Sequence, residues 1–247
     1  MYNLLISTGV ASVAFLLGLA GGQWYYGFAP ALIVFPIVYF LLARRTGKQV
    51  EAIMAKAMSE LQTQRMDAAK ETMRSALGLG RWQFLVGQQI YAQMGALEYV
   101  QRKPKAARDL LEKAWSRNWQ AQAMLAVLDA KKGDHPAGIK RLGKARLFAR
   151  KEPVFWGILT WLHLRNKDPD MAMSTVKEGI DVTDGAKPLK ELDTAIANDR
   201  VKRFKWDKVF GQSWYQFFPE QMPMQRMQAA ANKGRKTFPQ PRGGRGR

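Results

Sequence analysis

Two apolar runs open the chain, residues 4–22 and 28–43, and neither contains a charged side chain. Between them stand only Gln23-Trp24-Tyr25-Tyr26-Gly27, and Arg44-Arg45-Thr46-Gly47-Lys48 follows the second run directly. About 20 apolar residues in a helix cross a hydrocarbon core of roughly 30 Å, and in lipid the backbone has to be helical because no water satisfies it. The pattern predicts a two-helix transmembrane hairpin over residues 1–45, in contact with membrane lipids. Trp24, Tyr25 and Tyr26 suit the far interface, where amphipathic rings settle, and Arg44, Arg45 and Lys48 suit the near one. Lys and Arg are absent from residues 1–43 and frequent afterwards, so the positive-inside rule places both termini in the cytoplasm. A cleaved signal peptide is the rival reading of the first run, but no Lys or Arg precedes it and a second run follows at once. A soluble core hairpin is a second rival, since helices apolar all round also occur in large cores. Pro30 fits a first helical turn, and Pro36 predicts a kink.

Past Lys48 the pattern changes. Small residues recur in pairs seven places apart: Ala69 with Ala76, Ala107 with Ala114, Gly138 with Ala145, Ala172 with Gly179. Successive pairs are 38, 31 and 34 residues apart. Twelve places before each stands Ala57, Gly95, Ala126 or Thr160. Turn residues fall between the two halves of a unit, as in Arg102-Lys103-Pro104, Lys132-Gly133-Asp134 and Asn166-Lys167-Asp168-Pro169. Two antiparallel helices approach closely only where side chains are small, so this spacing predicts stacked helix pairs. The pattern resembles the tetratricopeptide repeat, over roughly residues 50–186 as four degenerate units. The second unit reads as helices over 88–101 and 105–117. A generic helical bundle is the alternative; either way nothing alternates with the period of a strand, and the class is all-α. The expected organisation is a hairpin at 1–45, a TPR-like α-solenoid at 46–205, an aromatic amphipathic segment at 206–228 and a disordered basic tail at 229–247. Residues 187–205 read as the capping helix that a solenoid needs.

The resemblance implies that the first helix of each unit lines a concave groove. Carried over by register, it places Gln89, Ala92, Ala96 and Tyr99 there in the second unit. Gln120, Ala123, Val127 and Lys131 follow in the third, and Gly157, Trp161, Leu164 and Arg165 in the fourth. A protein partner in that groove would meet Gln89, Tyr99, Gln120, Lys131, Trp161 and Arg165. The small residues leave room for a peptide or helix.

Trp206, Phe210, Trp214 and Phe217 or Phe218 recur at the spacing of one helical stripe. It reads as a helix docked on the solenoid's open end, as a membrane-surface helix, or as a contact for a peptide or a second copy. The net charge of +19 is uneven. Residues 44–199 hold 27 Lys and Arg against 18 Asp and Glu, or +9; residues 200–247 hold 12 against 2, or +10. The Arg-Gly-Gly tail therefore offers a contact for anionic lipid or RNA. The chain has no Cys and two His, His135 and His163, neither with a second ligand at helical spacing, so nothing points to a metal or cofactor. No phosphate loop or nucleophile elbow is present, and the reading is not an enzyme. The layout resembles bacterial inner-membrane proteins in which a two-span anchor carries cytoplasmic tetratricopeptide repeats, as in the HemY family. That resemblance implies a multi-pass inner-membrane scaffold that recruits or assembles a protein partner. The alternative is a membrane tether for RNA or ribosomes acting through the tail. An oligomer is compatible with both.

Overall fold

The computed structural model describes residues 1–20 and 22–222. The end of the expected aromatic segment and the whole basic tail, 223–247, lie outside the described residues. Twelve α-helices and no strand occur among the described residues: α1 (Tyr2–Leu19), α2 (Trp24–Gln62), α3 (Met66–Ser75), α4 (Val86–Val100), α5 (Pro104–Leu111), α6 (Trp119–Lys131), α7 (His135–Ala145), α8 (Pro153–Arg165), α9 (Pro169–Val182), α10 (Lys187–Ala197), α11 (Trp206–Phe210) and α12 (Gln212–Tyr215). The chain divides into two compact units, Met1–Tyr91 and Ala92–Arg247, and α4 runs from one into the other.

In the first unit, α1 and α2 are each long and apolar enough to cross a membrane. In their most apolar stretches only 17% and 6% of residues are buried, so their Leu, Ile and Phe side chains face outward. Polar and small residues make the contact between them. Asn3 Nδ2 donates to Thr46 Oγ1 at 3.0 Å, with both side chains buried. A Cβ on Gly18 would strike the backbone of Tyr26 and Gly27, so these helices meet at van der Waals distance of the main chain. α2 contains Pro30 and Pro36 and does not stop at the Arg pair; it continues to Gln62, and the expected boundary at 45/46 lies inside it. Its last turns pack on α3, where Thr72 Oγ1 donates to Glu60 Oε2 at 2.7 Å.

The repeat is visible in how the helices end. The backbone N–H of Arg65, Lys103, Asp134, Asp168 and Arg200 each donates to the carbonyl five residues back, that of Glu60, Glu98, Asp129, His163 and Ala195. The residue just before each donor is left-handed: Gln64 (φ 62), Arg102 (φ 60), Gly133 (φ 90), Lys167 (φ 59) and Asp199 (φ 51). This closure uses carbonyls that a helix end otherwise leaves unpaired. Its steps of 38, 31 and 34 residues are those of the small-residue pairs. A fourth step of 32 makes α10 the first helix of a fifth pair, whose second helix is reduced to the single turn Val201–Arg203. The expected continuous helix over 187–205 therefore ends at Ala197.

The following helix of each pair starts on matching chemistry. Asp134 and Asp168 side chains accept from Ala137 N and Met171 N, and Pro104, Pro136 and Pro169 occupy first-turn positions. Ala57, Ala69, Ala76, Ala107, Ala126, Ala145, Thr160 and Ala172 have no exposed surface. A Cβ on Gly138 would come within 2.9 Å of the Ala126 carbonyl, and one on Gly95 within 2.7 Å of Leu111. In the second unit the described helices pack in chain order, α6 on α7, α7 on α8, α8 on α9 and α9 on α10. Asp129, almost fully buried, takes Arg108 from α5 at 2.6 Å and Arg141 from α7 at 3.1 Å, so one carboxylate links three successive helices. A buried charge held this way is paired and hydrogen-bonded on both oxygens.

Candidate functional site

In the second unit the groove is expected along α6, α8 and residues 92–100 of α4, and the chain's own residues 204–221 lie there. Tyr99 of α4 donates its hydroxyl to the carbonyl of Phe217, and Arg102 reaches the carbonyl of Pro219 at 3.5 Å. Trp119 of α6 lies 5.9 Å from the Phe217 ring, and Trp161 of α8 meets the Phe218 ring edge-on at 4.9 Å. Lys131 pairs with Glu220 at 2.9 Å and stands 5.6 Å from the Tyr99 ring. Gly157 faces Phe210: a Cβ there would lie 2.5 Å from the ring. The room that small residues leave is filled by an aromatic side chain from the same molecule.

This segment is not a single helix. Gly211, at φ 63 and ψ −140, breaks it into α11 and α12 in a conformation that essentially only glycine adopts. The aromatic stripe survives the break as a stacked column. Trp206, Trp214 and Phe218 follow one another at 4.9 and 4.4 Å, with Phe210 at 5.5 Å from Trp214. Trp214 Nε1 donates to Gln221 at 2.9 Å and Tyr215 donates to Asp207 at 3.1 Å, which satisfies both polar tips. Trp214, Phe217 and Phe218 are almost wholly buried. The column is therefore part of the core, against α8 and α10 as well as along the groove face.

The expected groove residues fall into two groups. Tyr99, Lys131 and Trp161 touch the segment. Gln89, Gln120 and Arg165 are exposed, and the Arg165 guanidinium stands 5.5 Å from the Trp161 ring. Trp119 was not among the expected residues. It lies in four-residue steps with Ala123, Val127 and Lys131, and that step is the signal that selects it over Gln120. Phe155, which holds Trp119 edge-on at 6.1 Å, carries no such signal, since every position of 154–160 is buried.

Burial shapes the titration of this region. Desolvation raises the Tyr99 phenol well above its ordinary range, and the Glu220 carboxylate adds to the rise, so Tyr99 is a permanent donor to Phe217. Burial lowers the His163 pKa, against an opposing pull from Asp168. Its Nδ1 has no hydrogen-bond partner among the described residues. Among those residues no group of three or more His, Cys, Asp or Glu converges on a point where a metal could bind.

At the other end of the chain, Trp24, Tyr25 and Tyr26 are exposed at the start of α2 and touch one another, with Trp24 and Tyr25 rings 6.2 Å apart. Arg44, Arg45 and Lys48 are exposed at the opposite end of its apolar stretch.

No family model matches the chain, and no curated protein matches it. A solved structure described as a functional characterization of Pseudomonas aeruginosa pilF is similar in fold, with a TM-score of 0.50 at 14% identity. The match covers 76% of this chain and 90% of that one. PilF contains tetratricopeptide repeats, and the likeness supports a TPR-like α-solenoid here. At this identity it speaks to fold alone.

Proposed function

We propose that this protein is a membrane-anchored scaffold of the tetratricopeptide type, which recruits or assembles a protein partner at the cytoplasmic face of a bacterial inner membrane. The observation that carries the anchor is the outward apolar surface of α1 and α2. Core helices of that length would be mostly buried, and these are almost entirely uncovered. In lipid those side chains face their own solvent. The Arg44-Arg45-Lys48 cluster lies where the positive-inside rule puts cytoplasmic charge, so α1 and α2 form a transmembrane hairpin with the repeats inside the cell.

A stack of helix pairs is an extended surface, and such solenoids act by binding other proteins along it. Because residues 204–221 already fill the centre of the groove face, the partner meets its open edge. Gln120 and Arg165 are the exposed expected residues of the second unit. Arg165 offers a planar fork for a partner carboxylate, steadied on the Trp161 face.

A photo-crosslinking residue placed at Gln120 or Arg165 of the full chain, in intact membranes, tests the reading. A discrete crosslinked protein is expected at these two positions, weakened by Arg165→Ala with helicity unchanged. If neither position captures a protein while a position on α9, such as Lys177, does, the edge is not the docking site.

A further inference from the structure

The connection between α3 and α4, residues 76–85, is longer than the repeat requires. It takes ten residues, against seven between α5 and α6, seven between α7 and α8 and four between α9 and α10. This extra length is why the first repeat step is 38 residues. It is also apolar and aromatic: Ala76-Leu77-Gly78-Leu79-Gly80-Arg81-Trp82-Gln83-Phe84-Leu85. Trp82 and Phe84 are 42% and 55% exposed.

Its backbone is tied to the start of α1. The N-terminal amine of Met1 donates to the Arg81 carbonyl, and the Asn3 N–H donates to the Trp82 carbonyl at 3.1 Å. The Tyr2 and Trp82 rings meet edge-on at 5.2 Å. Asn3 in turn reaches Thr46, between Arg45 and Lys48 on α2. Tyr2, Trp82, Phe84 and the cations Arg44, Arg45, Lys48 and Arg81 thus gather at one end of the apolar pair. The first carboxylate on α2 is Glu51, about 7.5 Å further along the axis from Thr46 at 1.5 Å per residue. Leu85, at φ 68, holds the loop's exit in a conformation that a bulky side chain adopts only under constraint.

We propose that residues 76–85 form a second, interfacial membrane contact, in which Trp82 and Phe84 enter the headgroup layer beside Tyr2 while Arg44, Arg45, Lys48 and Arg81 meet anionic headgroups. The aromatic belt at the far end of the pair comes from Trp24, Tyr25 and Tyr26 within α2. At the near end α1 supplies Tyr2, and the loop adds Trp82 and Phe84. Trp rings prefer this depth because one edge is apolar and the N–H stays wet. The contact ties the first helix pair to the bilayer surface through two attachments, α2 itself and the loop.

The inference rests on the membrane reading, and one experiment separates the two. The chain has no Cys, so single-cysteine variants carry one fluorescent label each. Phe84→Cys, Gln83→Cys, Val10→Cys and Leu147→Cys are labelled with an environment-sensitive dye in the full chain. Each is reconstituted in phosphatidylcholine–phosphatidylglycerol vesicles containing a shallow or a deep spin-labelled lipid. Gln83→Cys leaves both rings in place and guards against a Phe84 variant that unseats the loop. The Val10 label should lose fluorescence most to the deep quencher. The Phe84 and Gln83 labels should lose it most to the shallow quencher, and the Leu147 label should keep it. A quenched Val10 label with unquenched labels at both 83 and 84 overturns the loop contact and leaves the anchor standing. An unquenched Val10 label overturns both.

Discussion

The hydroxyl of Tyr99 and the carbonyl of Phe217, 118 positions apart in sequence, form a buried hydrogen bond across the groove face. It joins the first helix of one repeat to a segment that follows the last. Removing the hydroxyl leaves the Phe217 carbonyl without that donor, at a cost of about 1–2 kcal/mol. Tyr99→Phe should therefore lower the thermal midpoint. It should also let trypsin reach Lys205 and Lys208 sooner, while circular dichroism stays the same. An unchanged cleavage rate would show that the bond does not hold the segment.

Gly157→Ala tests the same docking from the other side. Alanine in a helix interior gains about 1 kcal/mol over glycine. Against that, the new methyl meets the Phe210 ring, which cannot retreat because Trp206 and Trp214 stack on it. Overpacking of this kind costs about 1–3 kcal/mol, so the net change should be destabilising, with red-shifted tryptophan emission as the column opens. A stabilised variant with unshifted emission would mean that Phe210 is not seated there.

The repeat register predicts a contrast within one protein. Ala126 has no exposed surface and lies against Gly138, whereas Lys177 on α9 is exposed. Ala126→Leu should cost about 1–3 kcal/mol by overpacking, and Lys177→Leu should change the denaturant midpoint little. Equal losses at the two sites would argue against the register.

Acid should weaken the fold through His163. Its folded pKa lies below the value of about 6.5 expected in the unfolded chain. Between the two values the unfolded state binds the extra proton, so stability rises with pH through that window and is lost as pH falls. The thermal midpoint of the natural chain should drop on acidification below about pH 6.5. His163→Gln should flatten that part of the curve; parallel curves would remove His163 as the cause.

What could be read in advance follows from which features are local. The small residues at Ala107, Ala126, Ala145 and Ala172 announced their contacts because only small side chains fit between close helices, and all four are fully buried. The outward apolar faces of α1 and α2 were legible for the same reason, since each is one uninterrupted run. The aromatic spacing at 206, 210, 214 and 218 gave the stacked column but not its backbone, because Gly211 breaks the helix without disturbing the stack. Where the column lies was not legible. A groove position such as Gly157 reads the same whether its space receives a foreign peptide or Phe210 of the same chain. The loop at 76–85 was hidden for a related reason: its meaning comes from hydrogen bonds to Met1 and Asn3, some eighty residues away.

The proposed function requires two outward-apolar helices to hold the repeats at the cytoplasmic face. Protease added outside intact spheroplasts measures this most directly, with antibodies to the repeats reading the product. Residues 46–222 should stay intact until detergent opens the membrane, and carbonate washing should not release the chain. Degradation of the repeats in sealed spheroplasts, or release by carbonate, would contradict it.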